Sequence, residues 1–375
     1  MIRDFYFDRV LVICFLVLII LGVIFVFSAT STPSLINHKD PYFYLKREVM
    51  WAALSITVMA LSYLVPIDFW KKAGYPIMIL SIILLVLVFI FPAEIRGVHV
   101  KRWIDLGIVR FQPSEFVKLS TLIFVASYIS RKEMTNGFLN SWSFIIGVSS
   151  LPAIAIVLVL IEPHKGAAIL IAVLLFAVLV SSKVPARKLL LLPAVLIPMF
   201  LLFILSSDYA LKRVEALIDP VHNRTGISYQ VFQSILAFVK GGITGEGIGG
   251  GTQKLKYLPE IHTDFIFALV GEETGFIGAV AVIVIFLVIL YRGIKISSEL
   301  DDTFSQILGA GITYMIVIQA FFHMAVNVSL FPPTGFTLPF ISYGGSSLIV
   351  FSIAAGILLR LSKEPKSSIY SRWKL

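Results

Sequence analysis

The chain has 375 residues, 58% of them hydrophobic and 14% charged, with a formal net charge of +9. Ordinary soluble domains are roughly 45–50% apolar and about 25% charged, so this composition, with a mean hydropathy of +0.93, excludes a disordered chain, a coiled coil, a collagen and a soluble α/β enzyme. The single cysteine, Cys14, lies within an apolar run, which rules out a disulfide framework or a cysteine-based metal cluster within one chain.

What remains is an all-α, polytopic integral membrane protein. About ten apolar runs approach the ~20 residues that span a bilayer core: 10–29, 49–65, 75–91, 113–129, 144–161, 166–180, 189–205, 265–291, 307–328 and 338–361. The first follows Arg3 and Arg9 and imitates a signal peptide, but its length and the later runs make it a retained span. The sixth is short and bracketed by Pro163 and Pro185, which predicts broken or tilted helices there. Residues 1–375 therefore read as a single membrane domain, with a long outer loop, 206–264, between helices 7 and 8 and a tail at 362–375. An even number of spans puts both termini on one side. Basic residues favour that side slightly, which assigns the termini and the tail to the cytoplasm. Anionic lipid suits the net positive charge better than nucleic acid, for which no signature is present. The short outer loops nonetheless keep several cations. An anionic ligand on the outer face would retain them; random scatter is the bland alternative.

Polar chemistry then follows in chain order. Lys101-Arg102-Trp103 sets cations beside an aromatic residue of the type that anchors at the membrane interface. The fourth span begins Gln112-Pro113-Ser114-Glu115, with Lys118 three positions after Glu115 on the same helix face. That pair is a structural ion pair, or one that also lines a cavity. Within the long loop, 229–240 is amphipathic, with Val231, Ile235, Leu236, Phe238 and Val239 beside Gln230, Gln233 and Ser234, and is expected in the interface or dipping into the bundle. The segment 241–251 is rich in glycine and serves either as a backbone cradle for phosphate or as a hinge. It lacks the Walker lysine pattern, which argues against ATP. Glu260, Asp264, Glu272 and Glu273 follow, and a helix from Asp264 onward would put Glu272 two turns below it on roughly the same face. Ionisable groups at membrane depth cost several kcal/mol unless paired or wet, so these acids line a polar cavity or form internal salt bridges. The Pro- and Gly-dense segment 331–347 breaks the helical pattern before the tenth span. It forms another piece of a polar site, or simply permits close helix packing.

Taken together these residues carry a resemblance. Arg102-Trp103-Ile104, Gln112-Pro113-Ser114-Glu115 with Lys118, Tyr229-Gln230 with Gln233-Ser234, the stretch 257–268, Gly271-Glu272-Glu273 and the stretch 339–347 match, in order and over nearly the whole chain, the SEDS (shape, elongation, division and sporulation) family of peptidoglycan glycosyltransferases. Segments 254–260, 267–273 and 332–347 look most like the family's division member, whereas 249–253 is closer to the elongation member. The chain departs from the family pattern at His164 and Ala167, where an acid and a threonine are usual, at His99-Val100 in place of Gly-Ala, and at Ser228 in place of glycine.

The resemblance implies polymerisation of lipid II into β-1,4 glycan at the outer face of the bacterial cytoplasmic membrane, with inversion at the donor anomeric carbon, for septal wall synthesis. It implies Asp264 as the base or hydroxyl-positioning group. Lys101, Arg102, Lys118, Lys254 and Lys256 become candidates for phosphate contacts, and Trp103 for stacking on sugar or holding a loop. Glu115, Gln230, Gln233, Ser234, His262, Thr263, Glu272, Ser342, Tyr343 and Ser346 complete the expected substrate-side set. No cofactor is fixed by the sequence; a divalent cation, Mg2+ or Mn2+, could share the phosphate duty. Implied partners are lipid II, undecaprenyl pyrophosphate, a class B penicillin-binding protein supplying transpeptidation, and other division-complex membrane proteins. Two further classes fit parts of the pattern, a lipid II flippase and a non-catalytic division scaffold. The clustered outer carboxylates and cations favour the enzyme.

Overall fold

The computed structural model describes residues 7–95, 98–105, 107, 110–132, 141–162, 165–182, 184–190, 193–194, 198, 211, 226–255 and 257–364, with the side chains of 94–95, 98–101, 186 and 226–228 left out. In chain order the elements are α1 (Arg9–His38), α2 (Phe43–Leu64), α3 (Ile67–Ile90), β1 (Pro92–Ile95), β2 (Val98–Asp105), β3 (Arg110–Phe111), α4 (Pro113–Lys132), α5 (Trp142–Ile161), α6 (Lys165–Val180), α7 (Ala186–Leu189), α8 (Gly226–Gly241), α9 (Ile266–Glu299), α10 (Thr303–Asn327) and α11 (Gly345–Leu361). Helices α1, α3, α5, α9 and α10 are long and apolar enough to cross a membrane, and α6 and α11 are shorter apolar helices. Lower hydropathy in α2 and α4 follows from the charges they carry, Lys46, Arg47 and Glu48 in one, Glu115 and Lys118 in the other. The expected seventh span, 189–205, falls mostly outside the described residues.

The packing is that of a bundle in lipid. Large apolar side chains such as Ile13, Ile20, Leu61, Ile146 and Val157 are exposed on the outside, while Ser81, Ser120, Thr313 and Glu273 are buried. Lipid tails are as apolar as leucine, so association relies on close packing and hydrogen bonds between helices. The Ser120 hydroxyl, for example, donates to Ser81 Oγ at 3.0 Å between α4 and α3. Helices α4 and α10 pack against each other and are buried over most of their length. Around them α2 packs on α11, α3 on α4, α1 on α2 and α9, and α8 on α9 and α10.

Two ends of the bundle are distinguishable. At one, Asp8 caps α1 by accepting from Leu11 N at 3.1 Å and pairs with Arg292 Nε at 2.8 Å; its own N–H donates to Ser362 Oγ at 3.1 Å. The start of α1, the last turns of α9 and the end of α11 therefore meet there. Lys71 at the start of α3 bonds Asp302 at 3.0 Å on the same side. The opposite end holds the starts of α2, α4 and α11, the end of α10 and the loop before α9.

Three features differ from the sequence expectation. Strands β1, β2 and β3 form an antiparallel sheet in that order, with Ile104 facing Phe111 and Asp105 facing Arg110. Its strands are short, which hid them in an otherwise helical pattern. Secondly, α11 begins at Gly345, seven residues after the apolar run at 338; residues 338–344 form turns, with Phe340 at φ 67°. Gly22 of α1 lets this turn approach, since a Cβ there would lie 2.6 Å from Phe340 O. Thirdly, α9 is interrupted at Gly275 (φ 67°, ψ −166°), in a region of backbone space essentially restricted to glycine. The interruption frees backbone groups for the glycine-rich loop: Glu246 N and Gly247 N donate to Glu272 O and Glu273 O at 3.0 Å, and Phe276 N donates to Gly242 O at 2.9 Å. These peptide groups tie the loop to α9 at Gly242, Glu246 and Gly247. Gly275→Ala should lower stability by about 1–3 kcal/mol from backbone strain alone, measured as a lower thermal unfolding temperature in detergent.

Candidate active site

The sequence around Asp264 builds a tight turn. Glu260 adopts φ 52°, and its carbonyl accepts from Thr263 N at 3.1 Å and Asp264 N at 3.0 Å. Asp264 thus ends the turn, two residues before α9 begins at Ile266, where a helix N-terminus favours a carboxylate. Asn327, the last residue of α10, fixes this junction. Its Nδ2 donates to Asp264 O at 3.0 Å and its Oδ1 accepts from Ala268 N at 2.9 Å. From α8, Ser234 Oγ donates to Asn327 O at 2.6 Å.

Two further walls close around this turn. The 338–344 turns are tied to it by Ser342 Oγ donating to Thr263 O at 2.7 Å and Tyr343 N donating to His262 O at 2.9 Å. The sheet forms the other wall through β2, which carries Arg102 and Trp103; Arg102 Nε donates to Glu162 O at 3.3 Å. Ser346 stitches sheet to helix, accepting from Gln112 N at 3.2 Å and donating to Arg110 O at 3.0 Å. Between these walls lies a cleft of about 440 Å3 lined by Asp264, Glu260, Thr263, Arg102, Trp103, Gln230, Tyr343, Thr337 and Ser347 among others.

A polar chain runs from the cleft into the bundle. Thr337 Oγ1 and Ser347 Oγ are 2.7 Å apart, and Gln319 Nε2 donates to Thr337 O at 3.0 Å. Gln319 Oε1 accepts from Lys118 Nζ at 2.5 Å, and the same ammonium donates to both Glu115 oxygens at 2.8 Å. Lys118 is 1% exposed, so this pair stands behind the cleft wall rather than in it.

Of the residues singled out from sequence, Asp264, Arg102, Trp103, Gln230, Thr263 and Tyr343 therefore share one cleft. Glu115, Lys118, Ser342 and Ser346 support its walls. Ser234 lies beneath it on α8, and Gln233 is buried on the same helix. His262 packs against the rings of Tyr343 and Tyr44 at 5.7 and 6.1 Å; burial holds its imidazole below the usual range, with Glu260 opposing. Two expectations are corrected. Glu272 does not share Asp264's face, because the helix starts at Ile266; it accepts from Thr252 N at 2.8 Å and from Gln253 N at 3.2 Å. Lys254 faces Glu273 at 2.8 Å and Ser28 at 2.9 Å in a buried cluster apart from the cleft. The side chain of Lys101 and all of Lys256 lie outside the described residues, as does the variant acid position, His164. Among the described residues no group of three or more His, Cys, Asp or Glu side chains is placed to hold a metal ion.

Sequence reasoning missed Gln319 and Asn327. With the buried His323 they recur every four residues along α10, a polar stripe in an apolar run that was open to inspection. It also missed Glu162, at the end of α5, a buried carboxyl whose oxygens have no hydrogen-bond partner among the described residues.

Residues 8–367 match the family model FTSW_RODA_SPOVE, described as cell cycle protein. A protein of Trichlorobacter lovleyi named probable peptidoglycan glycosyltransferase FtsW is 35% identical over 363 residues, covering 95% of this chain and 93% of its own. A Haemophilus influenzae protein of the same name is 34% identical, covering 96% and 91%. Among solved structures, a chain from work on the structural coordination of polymerization and crosslinking by a peptidoglycan synthase complex superposes with a TM-score of 0.75 at 25% identity, covering 96% of this chain and 98% of that one. Rod shape determining protein RodA of Thermus thermophilus shares the fold, with a TM-score of 0.68 at 24% identity and coverage of 96% and 97%.

Two predictions follow from the geometry. Asn327→Leu removes the hydrogen bonds to the Asp264 carbonyl and the Ala268 amide, which keeps its bond to Phe265 O at 3.1 Å; the lost bonds should cost about 0.5–1.5 kcal/mol each, seen as a loss of thermal stability in detergent. Burial pushes the Glu162 carboxyl from an ordinary 4.5 up to about 8, with Arg102 opposing. The folded state then holds an extra proton between those values, so this group's contribution to stability is complete below pH 4.5 and lost as pH rises through about 8. Glu162→Gln should flatten that part of the stability–pH curve.

Proposed function

The chain belongs to the FtsW, RodA and SpoVE family of cell cycle proteins, and on that basis we propose that it is a peptidoglycan glycosyltransferase that polymerises lipid II for septal wall synthesis. It is a multi-pass protein of the bacterial cytoplasmic membrane. The observation that carries the reading is the cleft itself: Asp264, at the end of a turn, faces the same space as Arg102, Trp103 and Gln230 at one end of the bundle, with Glu260 also in the lining.

The reaction joins two lipid-borne disaccharides. The acceptor GlcNAc 4-hydroxyl oxygen bonds to the donor MurNAc anomeric carbon as the bond from that carbon to the pyrophosphate oxygen breaks, and undecaprenyl pyrophosphate leaves with the electron pair. An α-linked donor giving a β-1,4 product requires displacement from the opposite side. Asp264 accepts the hydroxyl proton or orients the hydroxyl for attack, work suited to a carboxylate within hydrogen-bond reach. Arg102 meets the charge growing on the pyrophosphate, where a fixed guanidinium stabilises the transition state more than the ground state. Mg2+ binds through one or two carboxylates plus phosphate oxygens; Asp264 and Glu260 are the residues that would hold it or Mn2+, and the ion would offset charge on the departing pyrophosphate.

On this reading the cleft faces the outer side and both termini the cytoplasm, which is supported by the start of α1, the last turns of α9 and the end of α11 meeting at the end opposite the cleft. A transporter would carry its substrate carboxylates near midplane; Asp264 instead lies in a turn before a helix. The one Ser-x-x-Lys sequence, Ser371–Lys374, falls in the tail read as cytoplasmic rather than on the face of the cleft, so crosslinking falls to a class B penicillin-binding protein in the same assembly. Asp264→Asn should abolish glycan polymer from fluorescent lipid II while the purified protein keeps its thermal unfolding profile. Normal polymerisation by that variant would sink the assignment, as would penicillin-sensitive crosslinking by the wild-type chain alone.

A further inference from the structure

A polymerase of this kind handles two pyrophosphates at once, and they cannot occupy the same place. The donor's is the leaving group and sits at the reaction centre. The acceptor's remains attached at the far end of its disaccharide, a full two sugars from the attacking 4-hydroxyl. Among the described residues Arg102 is the cation that lines the cleft with Asp264, and on the reading above it meets the first. A second cationic position is required outside the cleft and continuous with its rim.

The first turns of α2 supply one. Tyr343 lines the cleft, and its ring packs against Tyr44 of α2 at 5.8 Å and against His262 at 5.7 Å. Tyr44 also packs against His262, at 6.1 Å, so three rings form a continuous rim from the Asp264 turn to α2. Arg47, one turn further along α2, lies beside the Tyr343 phenol and is not among the residues lining the cleft. Its guanidinium stands 4.5 Å over the Phe43 ring. A cation held over an aromatic face stays oriented without losing its charge. The residue is exposed, and no carboxylate forms an ion pair with it among the described residues. The adjacent Glu48 is turned inward and buried. Two other cations nearby are paired, Lys46 with Asp40 at 2.8 Å and Arg110 with Asp105 at 3.4 Å.

Arg47 and Arg102 also approach from different flanks. Arg102 comes from the sheet beside the end of α5, whereas α2 packs on α1 and α11. We propose that Arg47, with the Tyr44–Tyr343–His262 rim leading to it, binds the pyrophosphate of the acceptor lipid-linked sugar and so sets the distance between the acceptor's anchor and its attacking hydroxyl. Guanidinium is suited to this because its planar fork engages phosphate oxygens in pairs. The inference rests on the glycosyltransferase reading above and deepens it.

The test uses the purified full-length protein with fluorescent lipid II. R47Q should raise the Michaelis constant for lipid II about tenfold, the loss of one charge-assisted contact, while the turnover at saturation stays close to wild type. R47K, which keeps the charge, should recover most of that loss, and K46A, which touches only the exposed Asp40 pair, should match wild type. Inhibition by added undecaprenyl pyrophosphate, the donor's leaving group, should be equally strong in R47Q and wild type. An unchanged Michaelis constant in R47Q overturns the proposal. So does weakened inhibition by undecaprenyl pyrophosphate, because Arg47 would then be holding the donor side. A wild-type protein that makes no polymer removes the glycosyltransferase reading and this inference together; a polymerising wild type with an unaltered R47Q removes the inference alone.

Discussion

The cleft depends on a lysine that never reaches it. Lys118 is buried in the middle of the bundle, with its ammonium bonded to both oxygens of Glu115 and to Gln319. Taking such charges out of water costs several kcal/mol per ion, and the cost is offset only when the geometry satisfies every donor and acceptor. With α4 and α10 locked by this contact, the remaining amide of Gln319 is aimed at Thr337, which with Ser347 forms part of the cleft lining. The order of the cleft wall is thus inherited from a charge cluster behind it. Removing one partner would leave an uncompensated ion at depth.

The same logic governs the loop that carries the carboxylate. Between α8 and α9, from 242 to 265, no helix forms among the described residues; most of 242–250 is exposed, whereas Gly251, Gln253 and Lys254 are buried. The break at Gly275 turns the carbonyls of Glu272 and Glu273 toward the glycine-rich segment, and their side chains bind Thr252, Gln253 and Lys254. Irregular backbone is tolerated at membrane depth only where protein satisfies it. Here α9 both begins at the Asp264 turn and returns, two turns later, to hold the loop that leads into it. Positive φ at Glu260 and Phe340 marks two bends beside the cleft, and hydrogen bonds from Ser342 and Tyr343 to Thr263 and His262 join them.

How much of this was open to reading in one dimension differs by element. Helices α1, α3, α5, α9 and α10 announce themselves by length and composition. The acidic Asp264 and the Arg102–Trp103 pair stand out because charge and interfacial aromatics are rare beside such runs. The sheet at 92–111 was hidden because four to eight residues of alternating character carry little signal next to spans of twenty. The start of the last helix was placed seven residues early, since hydrophobicity continues through Leu338, Phe340 and Ile341 although the backbone there is turned.

Sequence alone determined that the chain spans a membrane, which runs are apolar, and which rare polar residues needed an explanation, because those are properties of composition and local period. Whether a given polar residue faces the cleft, supports its wall or belongs to another cluster was decided only by tertiary structure. Glu272 and Lys254 resemble Asp264 and Arg102 as residue types, but a turn at Glu260 and a break at Gly275 rotate them onto the glycine-rich loop and α1. Asn327 and Gln319 acquire meaning only when α10 brings them beside residues 50 to 200 positions away in the chain. Burial of charge in lipid is settled by partners distant in sequence, and a linear pattern records the charge but not the partner.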